Sequence, residues 1–199
     1  MKKNLRKDLI LISELINSNE KVLDIGCGDG NLLRNLMKTK RVDCRGIELS
    51  QTGVNECVKK GLSVIQGDAN FDLKDYPDRS FTTAILSQTI QAMIYPDNVI
   101  ENLIRIAERA IISFPNFAYW KIRRDFFFSG LMPKNVALPF EWYDTPNIHL
   151  CSIKDFTNFC EKKGIKINES LYLNEEGEKL SDFMNNSRAY QAIFCVSKK

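Results

Sequence analysis

The sequence predicts an α/β fold, a largely parallel sheet with helices on both faces. Three observations carry this expectation. Short apolar runs alternate with segments of helical periodicity through the first half of the chain, the pattern of repeated βαβ units. A glycine-rich turn, Gly26-Cys27-Gly28-Asp29-Gly30, joins the first apolar run to the helix that follows. The chain has 199 residues, 44% of them hydrophobic and 27% charged, which is long and apolar enough for one well-buried domain. Right-handed crossovers leave few topologies for such a chain.

Leu5, Leu9, Ile12 and Ile16 recur at helical spacing and predict an amphipathic N-terminal helix. A secretion signal fits less well, because Glu14 interrupts the apolar stretch and no small-residue cleavage site follows. Residues 21–25 read as a strand, 31–38 as a helix and 42–49 as a strand. Residues 51–60 read as a helix with Ser50 as its cap. Three more strands are expected at 62–66, 81–87 and 110–114. A helix over 96–108 separates the last two, and Pro96 suits its first position, where the missing N–H is not needed. A helix over 152–163 closes at Gly164. Strands at 165–173 and 191–197 are expected to pair as an antiparallel edge.

The stretch 115–150 is an insertion in this single domain of residues 1–199. It holds both tryptophans, four of the six prolines and the single histidine. A connection this long is usually functional or disordered, and its many aromatics argue against disorder. It is expected to form an ordered lid or binding surface over the carboxyl ends of the strands. The alternative is that its rings complete the core.

Composition excludes several classes. A net charge of +3 is too small to imply a nucleic-acid partner without a clustered patch. No apolar run approaches the ~18 residues of a membrane-spanning helix. The six cysteines form no C-x-x-C pair, so free thiols in a reducing cytoplasm are expected.

The glycine turn is informative through its spacing. A dinucleotide site wants G-x-G-x-x-G/A, but Asn31 stands at the last position. A phosphate P-loop needs Gly-Lys-Ser/Thr, which is absent. The turn therefore suits a nucleoside without a pyrophosphate. Glu48 ends the second strand, where a carboxylate accepts from ribose hydroxyls, each such bond contributing roughly 1.5–3 kcal/mol. Asp68 follows the third strand, placed to accept from an adenine amine or to cap a turn.

Asp24, the three glycines, Glu48 and Asp68 together resemble the class I S-adenosylmethionine (SAM) methyltransferase superfamily. That resemblance implies a Rossmann-like sheet of seven strands with the last antiparallel. It also implies binding of SAM or S-adenosylhomocysteine through Asp24, Gly26, Cys27, Gly28, Gly30, Glu48, Leu49, Asp68, Ala69 and Ser87, with no metal. More specific stretches are Arg6-Lys7-Asp8-Leu9, Ser87-Gln88-Thr89-Ile90-Gln91-Ala92, Ile112-Ser113-Phe114-Pro115-Asn116-Phe117 and Trp142 to His149. They resemble the MetW family of bacterial methionine-biosynthesis proteins along nearly the whole chain. This implies a partner, the homoserine O-acyltransferase MetX. Family members commonly carry Asp after the Phe that opens strand four, and here Thr82 follows Phe81.

Methyl transfer from an activated sulfonium needs mainly alignment. If a base is required, His149, Tyr143 and Asp144 are the candidates. The N-P-P-Y signature of amino-methylating nucleic-acid enzymes is missing after strand four. Phe126-Phe127-Phe128 reads as a buried or partner-facing helix turn. Two functions follow: an accessory subunit of the acyltransferase that keeps a SAM pocket and senses SAM, or a small-molecule methyltransferase.

Overall fold

The structure is a computed structural model that describes residues 5–135 and 138–199. Five strands run parallel: β1 (Lys21–Ile25), β2 (Asp43–Glu48), β3 (Val64–Gln66), β4 (Phe81–Ser87) and β5 (Ala107–Pro115). The antiparallel part is β6 (Ile165–Leu173), β7 (Lys179–Leu180) and β8 (Gln191–Lys198). The sheet order is β3-β2-β1-β4-β5-β8-β6-β7. The helices are α1 (Lys7–Glu14), α2 (Asn31–Lys40), α3 (Gln51–Lys59), α4 (Ala69–Asp72), α5 (Pro96–Ile106), α6 (Trp120–Ser129), α7 (Ile153–Lys162) and α8 (Asn185–Arg188).

The period-2 alternation of the strands sorts their side chains into two cores. Leu23, Leu86, Ile112, Phe114 and Phe194 face α5 and α7, where Val99, Ile100, Leu103, Ile153 and Phe156 complete one cluster. Val22, Ile85, Ile111 and Ile193 face the other way, against Ile12 and Ile16 and the α2 residues Leu32, Leu33 and Leu36. The expected N-terminal amphipathic helix thus packs by its Ile12 side. Ser50 and Pro96 stand where expected, as the cap of α3 and the first residue of α5. Ser152 caps α7 in a reciprocal box with Asp155.

The two final long strands pair antiparallel at one end of the sheet as expected, with β8 lying between β5 and β6. Two expectations are corrected. Eight strands are described, not seven, because the two-residue β7 pairs with the end of β6. Finally, α5 ends at Ile106 and β5 begins at Ala107, three residues earlier than read from the sequence. Ala107 and Glu108 read locally as helix, with Arg109 in the connection. Arg109 is instead drawn into the sheet, where it donates to Thr83 Oγ1 at 2.9 Å and to Glu20 at 2.8 Å.

Glu20 also accepts from Thr83 Oγ1 at 2.6 Å. It is buried. Desolvation pushes its carboxyl pKa up, but the bonds from Thr83 and Asn17 and the Arg109 charge hold it below the ordinary 4.5. Thr82 fills the place of the family aspartate: its Oγ1 accepts from the Lys21 amide at 3.3 Å, joining the entries of β1 and β4.

Removing one member of a buried, hydrogen-bonded ion pair strands the other, at ~3–5 kcal/mol. Glu20→Ala is expected to destabilise the protein by about this amount in urea unfolding. A depressed carboxyl pKa stabilises above the unfolded value and loses that contribution as pH falls through the folded one. The gap between wild type and Glu20→Ala should therefore shrink below pH 4.5.

Candidate functional site

The carboxyl end of β1 lies where the chain order reverses, with β2 on one side and β4 on the other. Crevices in open α/β sheets form at such points. Here a cavity of about 360 Å³ is lined by Leu5, Arg6, Leu9, Asp24, Gly26, Cys27, Gly28, Asp29, Asn31, Leu32 and Ser87. Its floor is the glycine turn and the first turn of α2, and its outer wall is the start of α1.

Asp24 is the unusual group. It is 3% exposed and lines the cavity. Among the described residues its carboxylate accepts no hydrogen bond. Burial, reinforced by the nearby Glu48 charge, raises its pKa from 3.8 to about 7. A buried carboxylate without a partner is costly, so its side chain is poised for a cation or a donor arriving through the cavity.

The three glycines of the turn do different work. At Gly28 φ is +56° and an added Cβ would meet nothing within 4 Å; a side chain would project into open space at the cavity wall. An added Cβ on Gly26 would lie 2.9 Å from Thr89 Oγ1. At Gly30 it would lie 2.4 Å from Leu62 Cδ1 and 2.8 Å from Cys57 Sγ. Gly30 is therefore buried behind the turn, where it permits close packing, and is not on the cavity wall. The turn is pinned from below, since Gly26 N donates to Ile47 O at 2.8 Å and Cys57 Sγ to Gly28 O at 3.3 Å.

Glu48 is tied to this turn. Its Oε2 accepts from Gly28 N at 2.8 Å and its Oε1 from Ser50 N at 2.9 Å. Each oxygen keeps one acceptor position free. Gly53, which the sequence reading passed over, makes room for it: a Cβ there would sit 2.8 Å from Glu48 Cγ. The available signal was a glycine inside a helix, where it costs about 1 kcal/mol against alanine.

Asp68 stands one strand further out. Gly67 N donates to Glu48 O at 3.1 Å, so the two loops run side by side. Asp68 Oδ1 caps α4 through Asn70 N at 2.9 Å, which is the capping role weighed above. Its Oδ2 has no partner among the described residues. Ala69 is buried beneath it and Leu49 is 66% exposed. Glu48, Leu49, Asp68 and Ala69 therefore form a ledge beside the cavity rather than its lining. Ser87, at the end of β4, does line it.

The three candidate bases are not brought to this cavity. Tyr143 and Asp144 are exposed. His149 lines a separate apolar cleft with Ile90, Ile94, Phe156 and Phe159, and its Nε2 lies 3.3 Å from Ile94 O. All six cysteines are free, and burial pushes the Cys44 thiol up to about 12 and Cys151 to about 11.

Two outcomes test this geometry. Gly30→Ala should destabilise more than Gly28→Ala in thermal unfolding, where only the left-handed φ is penalised, by ~1–2 kcal/mol. Asp24→Asn should be more stable than wild type at pH 8. The folded carboxyl holds its proton up to about pH 7 and the unfolded one only to 3.8, so native stability falls as pH rises between them. The variant's advantage should grow across that window toward ~2–4 kcal/mol and vanish below it.

Comparison with known proteins identifies the fold and the family. Among solved structures, a SAM-dependent methyltransferase from Archaeoglobus fulgidus superposes with a TM-score of 0.68 at 16% identity, covering 96% of this chain and 91% of that one. A SAM-dependent methyltransferase of Thermotoga maritima, described as a possible histamine N-methyltransferase, gives 0.69 at 17% identity over 97% and 88%. These likenesses establish a Rossmann-like methyltransferase fold. A bifunctional methionine biosynthesis protein MetXA/MetW from Rhodopirellula baltica is 30% identical over 179 residues, 85% of this chain. The chain spans only 29% of that relative's length. The family model for methionine biosynthesis protein MetW matches residues 6–196. The chain therefore belongs to the MetW family.

Proposed function

We propose that the cavity and its ledge bind SAM or S-adenosylhomocysteine, and that the protein is an accessory subunit of the homoserine O-acyltransferase MetX. The single observation that carries the first part is the buried Asp24, without a hydrogen-bond donor among the described residues, on the wall of a glycine-floored cavity. Its carboxylate takes the ammonium of the amino-acid end. The free acceptor positions of Glu48 take the ribose hydroxyls. Leu49 offers an exposed apolar bed for adenine, with Asp68 Oδ2 free for its amine.

The accessory role rests on two observations. Among the described residues no His, Tyr, Lys or Cys other than the buried Cys27 lines the cavity, and burial drives the Cys27 thiol far above neutrality. Among the described lining residues the group that titrates near neutrality is Asp24, which this reading commits to the ligand's ammonium. In the Rhodopirellula relative, MetXA and MetW names share one bifunctional protein, the arrangement expected of two parts that work in contact.

The surface for that contact is the aromatic insertion. Its α6 buries only Ile122, while Phe127 and Phe128 are 81% and 79% exposed and Trp142 is 74% exposed. Contiguous exposed aromatics mark interaction sites. SAM, the downstream product of methionine, would report pathway output if it binds the free and MetX-bound forms unequally.

S-adenosylhomocysteine at ~100 times its Kd should raise stability by about 2.7 kcal/mol, a shift that Glu48→Ala should weaken tenfold or more in affinity. Capture of MetX by the wild-type protein, lost in Phe127→Glu/Phe128→Glu with the ligand shift unchanged, is the expected outcome for the interface. Turnover of SAM with a small acceptor in the absence of MetX would instead favour the methyltransferase reading.

A further inference from the structure

The apolar cleft beside His149 lies between α5 and α7, on the face of the sheet away from α2. It shares no lining residue with the glycine-floored cavity. Its volume is about 390 Å³, within the roughly 300–1,000 Å³ of small-molecule sites. Ile90, Ile94, Pro96, Ile100, Phe156 and Phe159 supply its apolar walls. Ile94 is 49% exposed, so apolar surface stands open to water there.

The polar side chains on this wall offer acceptors. Gln91 is buried, and its Nε2 is taken up by Pro115 O at 3.1 Å and Cys151 Sγ at 3.5 Å. Its Oε1 is buried too and accepts no hydrogen bond among the described residues, a costly state. His149 Nε2 faces a carbonyl oxygen, which can only accept. The proton therefore sits on Nε2, and Nδ1 of the neutral ring is an acceptor. Asp155 Oδ2 accepts from Ser152 N and Oγ at 2.9 and 2.6 Å, bonds that hold its carboxyl below the ordinary 3.8. Half-exposed Asp97 meets Lys163 Nζ at 3.8 Å, but that ammonium lies closer to Glu101, at 2.7 Å. One lysine thus serves two carboxylates, and the rim keeps a negative charge. No Lys, Arg, Ser, Thr, Tyr or Trp lines the cleft among the described residues.

An apolar cleft whose polar groups are acceptors and carboxylates fits one ligand chemistry. We propose that it binds a small hydrophobic amine: a protonated amino group on an aromatic or branched aliphatic body, with no carboxylate or phosphate. The body packs among Ile94, Ile100, Phe156 and Phe159, where its burial supplies most of the affinity. The ammonium, which has donors only, turns to the Asp97 and Asp155 carboxylates and to Gln91 Oε1. An anionic group meets like charge at the rim and is rejected. Free amino acids are excluded on that ground, so this site does not compete for ligands with an amino-acid end. The inference stands whether or not the glycine-floored cavity takes SAM.

The test is titration of the full chain, followed by calorimetry at pH 7.5, with three probes that share one apolar body: phenethylamine, 2-phenylethanol and 3-phenylpropionate. Wild type should bind the amine about tenfold more tightly than the alcohol, and the carboxylate more weakly than either. Asp97→Asn should lose about fivefold or more for the amine and less than twofold for the alcohol. Ile94→Lys places a cation at a half-exposed position of the wall. It should melt close to wild type and lose the amine by tenfold or more. Equal affinity for the three probes, or no binding of the amine at millimolar concentration, overturns the proposal. So does an amine affinity that survives Asp97→Asn. An affinity that survives Ile94→Lys overturns it as well, because the amine would then be held by another carboxylate, such as Asp24.

Discussion

A nearly buried carboxylate at the end of the central strand, lining the cavity and with no hydrogen-bond donor among the described residues, is the constraint on which the proposed site depends. Asp24 is placed there by β1, which is hydrogen-bonded to parallel strands on both sides and cannot shift to relieve it. Burial and the Glu48 charge push its pKa to about 7. That is an unfavourable arrangement in the ligand-free protein. In the proposed complex it becomes favourable, because the ligand's cation fills the cavity. On that reading, stability given up in the free state is turned into ligand recognition, a common trade at functional sites.

The surrounding elements make that arrangement geometrically possible. Glu48, at the end of the neighbouring strand, bonds the Gly28 amide with one oxygen and the Ser50 amide with the other. It thus links the glycine turn to the cap of α3 and keeps lone pairs in reserve. Gly53 allows this approach, and Gly30 allows α2 to settle against Cys57 and Leu62. The ledge of Glu48, Leu49 and Asp68 continues the cavity outward along successive strand ends. In the proposed complex the charged cavity takes the polar tail of a nucleoside and the partly apolar shelf takes its base.

The insertion carries the opposite kind of imbalance. A small cluster of Tyr119, Ile122 and Leu138 roots it to the domain, while most of its large rings remain in water. The alternative that these rings complete the core fails for Phe127, Phe128 and Trp142. Burying an aromatic side chain contributes roughly 1.5–3 kcal/mol, and that contribution remains available to a partner. Under the proposed function the cavity takes the charged small molecule and the exposed rings of the insertion take the protein partner.

Much of this was legible from residues alone. The alternation of apolar runs and helical segments determined a parallel α/β sheet, because the side-chain periods of strand and helix differ. Ser50, Pro96, Ser152 and Gly164 marked helix ends through local hydrogen bonding and backbone geometry, which depend on near neighbours only. The strand-end positions of Asp24, Glu48 and Asp68 followed from the same pattern. Tertiary structure alone decided the rest, because it depends on residues far apart in sequence. Arg109 joins the sheet because Glu20 and Thr83 await it there. The last strand lies inside the sheet because both its faces are apolar and both its edges find partners. Gly28 lies open while Gly30 is packed, a difference that two identical residues cannot express. Arg6 comes to the cavity because α1 folds back over the turn, and only that long-range closure sets its charge beside Asp24.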